Sequence, residues 1–580
     1  MFPEFSDFTA KIEDKEFIRE DGVHFPMSVF LTLVSLDGHH ETNLVLGYAS
    51  YEYIARLISS GTRLNLDQCY FDHLSLSTYR QENKIGKKDY IKIADFSARN
   101  CFFNTKVPVD LSYAEFISGS VSFENSSFNG SVITMQGTLI KQGNLDFSNA
   151  YLPDGDLDFT GLTVEKNIYF RNARFGAGTK DFQDATFGRG DVAFTNAYFN
   201  NGDVSFISTN FGNGNISFKL ARFGTGKVDF HFAKVGEGDI SFERTEFGNG
   251  RVDFRTVEFG TGRVNFNRAA FGNGDVSFEA SQLNKGKISF KKAVFGEGLI
   301  SFELVEYDEA EANFDRANFG KGTISFNNAR IKTLSLSSCH LNNYTDLRMA
   351  KCTHIDMSDT IVRDIIDIRP ADFNIHIGTI NFAGIRLIGR IFIDWRKNHV
   401  KQLIMSQTDT SKRIKSEQFR TLKQNFNTTG QYSDEDKAYV EFKRMESKAI
   451  LEEGLRRKKI SAVWKYPSYF FKLVVFDMMG HYATNPLRVI ISILASYTFF
   501  SLIVAFIISI SRAEVISSYG DMSLGILGRS FYYTAVTFLT IGYGDFYPTG
   551  ALRIFSGIIG FSGLFLLSYF TVAFVRKVLR

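Results

Sequence analysis

The chain has 580 residues, with 66 Lys+Arg against 63 Asp+Glu and 44% hydrophobic residues. Taken alone, these figures describe a large soluble protein of several domains, yet they conceal two segments near the C-terminal end that are apolar enough to span a membrane. Four cysteines (Cys69, Cys101, Cys339, Cys352) lack metal-ligand spacing, which excludes a metal centre built on them and leaves reduced thiols.

Met1 to Phe30 carries no cationic, apolar, small-residue leader, so about 480 residues upstream of the first apolar segment are expected to stay in the cytoplasm. Residues 1–92 mix strand-like runs such as Ser28–Leu36 with a helical run over Tyr51–Ser59. They read as an α+β cap over the open edge of the domain that follows, since exposed strand edges need cover. A ligand- or partner-binding role for this segment is the competing reading.

Residues 93–400 read as a β-solenoid. Thirteen copies of a 12-residue unit fill Phe175 to Arg330, with consensus F-G-x-G-x-[VI]-x-F-x-x-A-x. A period this regular means stacked coils. Ile216 and Phe218 alternate, as do Ala221 and Phe223, so each unit supplies two short strands with period 2. Phe206, Phe218, Phe230 and their successors are expected to stack in an internal ladder, and the paired glycines to make a wide corner with positive φ. The G-x-G spacing does not suit a nucleotide, because the third glycine and the following helix are missing. Between Phe175 and Arg330 there are 18 Lys+Arg and 20 Asp+Glu, which gives no support for an acidic nucleic-acid mimic.

The F-x-x-A-x-F core resembles two consecutive units of a pentapeptide-repeat protein with two residues inserted at the glycine corner. Flanking stretches resemble that family more closely: Asp146–Leu152 (DFSNAYL), Asp158–Val164 (DFTGLTV) and Tyr169–Phe175 (YFRNARF) before the regular block, Met349–Cys352 and Met357–Thr360 after it. The resemblance implies a right-handed, four-sided solenoid with two repeats per coil. A flat coil of a single repeat is the rival.

Residues 401–459 read as a helical hairpin. Phe419, Leu422 and Phe426 share one face of a helix ended by Gly430, and Ser433-Asp-Glu-Asp opens a second helix with a capping-box pattern that puts Tyr439, Phe442 and Met445 together. Residues 460–488, with Trp464, Tyr466, Tyr469, Phe470 and Phe471 among lysines, read as a helix lying at the inner membrane surface.

Residues 489–580 carry the chemistry. Val489–Ile510 is 22 residues without charge, long enough to cross a hydrocarbon core, and 551–575 is a second apolar segment. Between them lie a polar turret (511–528), a short helix pattern (529–539), and Thr540-Ile541-Gly542-Tyr543-Gly544-Asp545. This order and this motif resemble the pore of two-transmembrane potassium channels, and the junction at Phe476–Val489 resembles bacterial proteins that join pentapeptide repeats to such a pore. The fold expected is therefore multidomain: β-solenoid, helical linker, then an all-α two-span pore.

The resemblance implies that backbone carbonyls of Thr540, Ile541, Gly542 and Tyr543, with Gly544 completing the strand, replace the hydration shell of K+. It also implies that Asp545 and Tyr532 brace the outer mouth, that Gly563 sits at an inner-helix hinge or packing point, and that Thr571, Val575 and Leu579 face the inner gate. Leu539 departs from the family, where threonine is common. A quarter of the ion's ring per chain implies a homotetramer in the lipid bilayer. Arg456–Lys459, Lys465 and Arg488 before the first span and Arg576, Lys577 and Arg580 after the second place both termini in the cytoplasm by the positive-inside rule, in the inner or plasma membrane.

No voltage-sensor span, nucleophile–base pattern or cofactor site stands out, so the expected activity is passive potassium conduction rather than catalysis, with K+ as the permeant ion, no other cofactor and no nucleic-acid partner. The second span ends almost at Arg580, so regulation is expected from the N-terminal side, through an unidentified cytoplasmic ligand or protein. The alternatives are a membrane-anchored interaction scaffold with secondary or no conduction, and a non-selective cation channel, which Tyr543 argues against.

Overall fold

The computed structural model describes the chain except residues 1, 3–4, 131, 153, 371–374, 457–464, 521–523 and 580. Arg457, Lys458, Lys459, Trp464, Arg580 and the boundary expected at 459/460 lie outside the described residues. The chain divides into two compact units, Met1–Ser406 and Gln407–Arg580.

In the first unit, Phe5–Glu13, Ser28–Ser35 and Glu41–Tyr48 form an antiparallel sheet. Its last strand then pairs in parallel with Cys69–Phe71, matching Gly47 to Cys69. The N-terminal sheet therefore continues one face of the solenoid, supplying strands to the edge that would otherwise stand open. Helix α1 (Tyr51–Ser60) follows, with the Ser50 hydroxyl accepting from the Tyr53 N–H and Gly61 closing it at φ 66°. The first coil starts at Leu64–Asn65, which pairs with Phe96–Ser97, inside the stretch the sequence assigns to the cap. A second short helix, α2 (Leu76–Glu82), is capped by Ser75.

Each coil of the regular block takes two repeats. Val192 pairs with Ile216, Ile216 with Ile240, Ile240 with Val264 and Val264 with Ile288, each a step of two repeats, which makes four faces. One face counts 13 strands, twelve steps of about 4.8 Å, or a stack of roughly 58 Å. Among the described residues three phenylalanine ladders fill the core rather than one, the third running from Phe175 through Phe199 and Phe223 to Phe319 at 4.5–5.3 Å. Phe194, Phe218, Phe242 and Phe266 stack with centroids 4.6–5.0 Å apart and rings within 4° of parallel. Phe206, Phe230 and Phe254 stack at 4.8 Å with rings 10–14° from parallel, and these two ladders meet edge to face, as at Phe206–Phe218 (5.5 Å, 79°). Both geometries favour the ring quadrupole.

The glycine corner differs from the expectation. Most paired glycines of the regular block do not have positive φ. The left-handed residue is instead the second after each interior phenylalanine, recurring once per repeat at Asn196, Ser208, Leu220, Phe232 and Arg244. Glycine is needed at the other corner for space: a Cβ on Gly248 or Gly250 would fall under 3.0 Å from the carbonyl oxygen of Gly224 or Gly226 one coil earlier. Past Gly322 the glycine pair is gone and the coil length changes, shortening where Ile324 pairs with Thr345 and lengthening where Lys351 pairs with His376. Helix α3 (Val400–Met405) then buries Val400, Leu403 and Ile404 at the end of the stack. All four cysteines are buried thiols, and burial pushes Cys339 and Cys352 up to about 12.

The second unit opens with α4 (Lys412–Thr428) and α5 (Tyr432–Arg456), which pack as a hairpin around Phe419, Leu422, Phe426, Val440 and Met445. Tyr439 and Phe442 are only half-buried. Helix α6 (Lys465–Phe471) runs into a π-helical turn over Lys472–Met478. The rest is α7 (Pro486–Ile510), α8 (Ile526–Phe538) and α9 (Leu552–Val578).

Candidate functional site

Helices α7 and α9 are 25 and 27 residues long, about 38 and 40 Å at 1.5 Å per residue, enough to cross a hydrocarbon core of about 30 Å. Helix α7 starts at Asn485, whose side chain accepts from the Arg488 N–H at 3.0 Å, with Pro486 in the first turn. Large apolar side chains such as Leu494, Phe499, Phe561 and Leu564 are exposed on the single chain, as lipid or neighbouring helices require. Between α7 and α9, α8 packs against both around Val504, Tyr533, Phe538, Ile559 and Leu566.

The C-terminal end of α8 delivers the chain into the filter motif. The Thr540 N–H bonds the Thr537 carbonyl (3.2 Å) and the Ile541 N–H the Val536 carbonyl (2.9 Å), while Thr540 adopts φ 55°. These are the two bonds of a Schellman motif, with threonine in the left-handed place usually held by glycine. From there φ alternates in sign: positive at Thr540, Gly542 and Gly544, negative at Ile541 and Tyr543. Alternation of this kind turns successive carbonyls of an extended strand toward one side instead of alternate sides. A Cβ on Gly542 or Gly544 would meet nothing within 4 Å, so these glycines are required by conformation and not by crowding. The helix end behind the strand carries the negative pole of its macrodipole, so the same geometry that aims carbonyls favours a cation.

The C-terminal end of the Thr540–Asp545 motif is tied to its surroundings by polar contacts. The Tyr532 hydroxyl donates to Asp545 at 2.6 Å. The Ser518 hydroxyl donates to the Gly544 carbonyl at 2.7 Å and its N–H to the Asp545 carbonyl at 2.8 Å. Val515–Ser517 and Phe546–Pro548 form a two-stranded sheet that joins the turret to the segment after the filter. Tyr543 is 70% exposed on the single chain.

This arrangement corresponds to a known module. Residues 492–580 match the ion-channel family model. No curated protein and no solved structure matches the chain. The C-terminal segment is an ion-channel domain, and the protein is a membrane protein built from that domain and an N-terminal β-solenoid.

Within the ion-channel domain, Gly563 lies against the C-terminal end of α8. A Cβ there would collide with the Phe538 carbonyl oxygen, and α9 runs unbroken from Leu552 to Val578. In this structure the residue is a packing point under the filter-bearing helix. Thr571, Val575 and Leu579 are exposed over the last turns of α9, away from the filter.

Several residues near these turns escaped the sequence. Asp436 of α5 pairs with Arg576 at 3.0 Å and Lys577 at 3.2 Å, and the Arg576 guanidinium lies 4.5 Å from the Tyr439 ring centroid. Arg444 binds Asp477 through two nitrogens at 2.8 Å and Glu441 through a third at 2.7 Å; the hydrogen bond to Asp477 holds its guanidinium above the usual arginine range. Tyr569 of α9 accepts from the Ala483 N–H at 2.8 Å and donates to the Phe476 carbonyl at 3.0 Å. It thereby clasps three consecutive left-handed residues, His481, Tyr482 and Ala483. Burial first, then the charges of Arg488 and Arg444, lowers the His481 imidazole. Gly480 makes the clasp possible, since a Cβ would lie 2.6 Å from the Tyr569 ring. The one sequence signal for these contacts was the acidic run at Ser433–Asp436, which reads as a helix cap until its partner at the other end of the unit is known.

Proposed function

We propose that the protein is a potassium-selective channel of the inner or plasma membrane, assembled as a homotetramer, with both termini cytoplasmic. The observation that carries this reading is the alternation of φ from Thr540 to Gly544 at the end of α8, which suits a strand whose carbonyls face one axis. Thr540, Ile541, Gly542 and Tyr543 would offer those oxygens to the ion, four chains completing each ring. The Tyr532–Asp545 contact and the Ser518 bonds would hold the strand's outer end at a fixed radius.

Gating would run through α5. Asp436 holds the last turn of α9 and Arg444 holds the π-helical turn before α7, so movement of this one helix pulls on the segment leading into α7 and on the end of α9 that carries Thr571, Val575 and Leu579. An input from a cytoplasmic ligand or partner would act by favouring one arrangement of that helix over another. With Gly563 closely packed, a hinge there would require α8 to move as well.

Purified protein in a planar bilayer with potassium on one side and sodium on the other decides the matter. A reversal potential near the potassium equilibrium value is expected. A value near zero indicates a non-selective pore. Absence of current from correctly assembled protein favours the scaffold reading and removes the conduction proposal.

A further inference from the structure

Several outward columns of the solenoid pair opposite charges between neighbouring coils. In these columns a base on one coil meets an acid on an adjacent coil: Lys219 with Glu243 (3.1 Å), Lys234 with Glu258 (3.1 Å), Arg263 with Asp239 (2.7 Å), Lys287 with Glu311 (2.7 Å). On one left-handed corner, four successive coils instead place Arg244, Arg268, Lys292 and Arg316 in a row. All four are exposed. Among the described residues none of these head groups has an ion-pair partner, whereas the acids beside the row are engaged elsewhere: Glu243 with Lys219, Glu246 with Arg222, Asp315 with Lys291.

Backbone preference does not explain the choice. Earlier coils fill this corner with Asn149, Asn172 and Asn196, a residue that tolerates positive φ, and their amides hydrogen-bond from coil to coil at 2.9 Å. Arginine and lysine give up both advantages and add repulsion between like charges about 4.8 Å apart along the stack. A row that opposes folding in this way points outward, to an anion.

The shape of the row narrows the partner. It is a straight, convex ridge of roughly 14 Å on a corner, with exposed Leu220 on the coil before it and exposed Val294 on the adjoining column. A convex corner encloses nothing, so a small ligand is poorly served. An extended anionic surface whose charges can rearrange suits it well, and the chain itself is anchored in one, which raises the local concentration of that surface. We propose that the Arg244–Arg316 ridge docks on anionic lipid headgroups of the membrane that holds the channel domain. Cations near such a surface are attracted electrostatically and released by salt. This rests on the proposed cytoplasmic placement of the solenoid.

The test uses the full chain in nanodiscs, with Ala270→Cys beside the ridge or Ala280→Cys on another corner labelled with a donor dye and a headgroup acceptor in the lipid; the native thiols are buried. In discs of one part phosphatidylglycerol to two parts phosphatidylcholine, transfer from position 270 is expected to rise at least twofold over pure phosphatidylcholine, to fall back in concentrated KCl, and to be lost in R268E/K292E. Position 280 should change little. Equal transfer in both lipids, or persistence in R268E/K292E at unchanged thermal stability, overturns the proposal. So does a lipid-independent signal coupled with salt-sensitive retention of a single-stranded oligonucleotide that the reversal abolishes, which would assign the ridge to nucleic acid. Reversal potentials from the same preparations separate this outcome from failure of the potassium-channel reading.

Discussion

In the solenoid, a Cβ added to Gly248 would press into the carbonyl of Gly224, although φ there is of the ordinary sign. In the filter, a Cβ on Gly542 would meet open space, although φ is 69°. The two regions use the same residue against opposite constraints, crowding between coils in one and backbone handedness in the other. The difference teaches that a G-x-G spacing says nothing until the source of its constraint is known. It also predicts that equivalent substitutions fail in different ways.

The largest effects should come from that pair. Gly248→Ala forces two coils apart, and overpacking of this kind costs about 3 kcal/mol or more when the obstacle is backbone; the solenoid should unfold at lower urea and become sensitive to protease while current persists in folded molecules. Gly542→Ala should leave the solenoid's urea midpoint unchanged but cost about 1–2 kcal/mol of local strain and, under the proposed potassium selectivity, lower potassium-over-sodium selectivity at least tenfold. A Gly542→Ala channel with full selectivity would break the comparison.

A second test lies in the solenoid core. Lys180 occupies the column filled by Leu157, Val204 and Val228 on neighbouring coils and is 0% exposed, its ammonium donating to the Gly178 and Asn201 carbonyls at 2.8 and 3.3 Å. Burial pushes it down to about 8. Since the unfolded chain binds this proton up to about pH 10.4 and the folded chain releases it near 8, stability should rise with pH between those values. Below about pH 8 the penalty of the buried charge is present in full. Lys180→Met should raise stability at pH 7 by about 2 kcal/mol, net of the two carbonyls left behind, and flatten the profile between about pH 8 and 10. A variant less stable than the parent at pH 7 would show that the lysine's hydrogen bonds outweigh its desolvation.

How legible these features were depended on range. The solenoid could be read because each coil contacts its neighbours at a fixed sequence offset, so Ile216 and Phe218 report their surroundings locally. The coil length followed from the family cross-section, and the register pairs agree with it. The left-handed residue was misplaced because glycine is the usual occupant of positive φ, whereas here Leu220, Phe232 and Arg244 adopt it and the glycines answer a contact two repeats away. In the pore, the motif from Thr540 to Asp545 stood out because nearly every residue serves one short strand. The Asp436 contacts were invisible for the opposite reason: about 140 residues separate the partners, and an acid beside a serine at a helix start already has a local explanation.

That long-range clasp separates linker from pore in a third test. Arg444→Ala would leave Asp477 buried beside Glu441 without its counter-charge. Because Arg444 is itself partly exposed, the loss should stay at about 2 kcal/mol, below the roughly 3–5 kcal/mol of a fully buried pair. Asp436→Asn should cost less in stability. Under the proposed gating, each should change open probability in single-channel records without moving the reversal potential. A shifted reversal potential would mean that α5 acts on the filter itself, and unchanged open probability in both would remove α5 from gating.

The smallest effect expected is at the proposed outer mouth. Tyr532→Phe removes one hydroxyl and its 2.6 Å bond to Asp545, and keeps the ring that packs on Phe546. With Tyr532 at the surface, loss of this one bond should leave the domain folded. Its effect should fall on the filter, as faster entry into non-conducting episodes at unchanged selectivity, because the carbonyls keep their φ alternation while the strand's outer end loses a tether. If Tyr532→Phe altered selectivity as strongly as Gly542→Ala, the brace would belong to the ion-coordinating machinery, and the contrast between a filter shaped by backbone handedness and a framework that merely holds it would have to be abandoned.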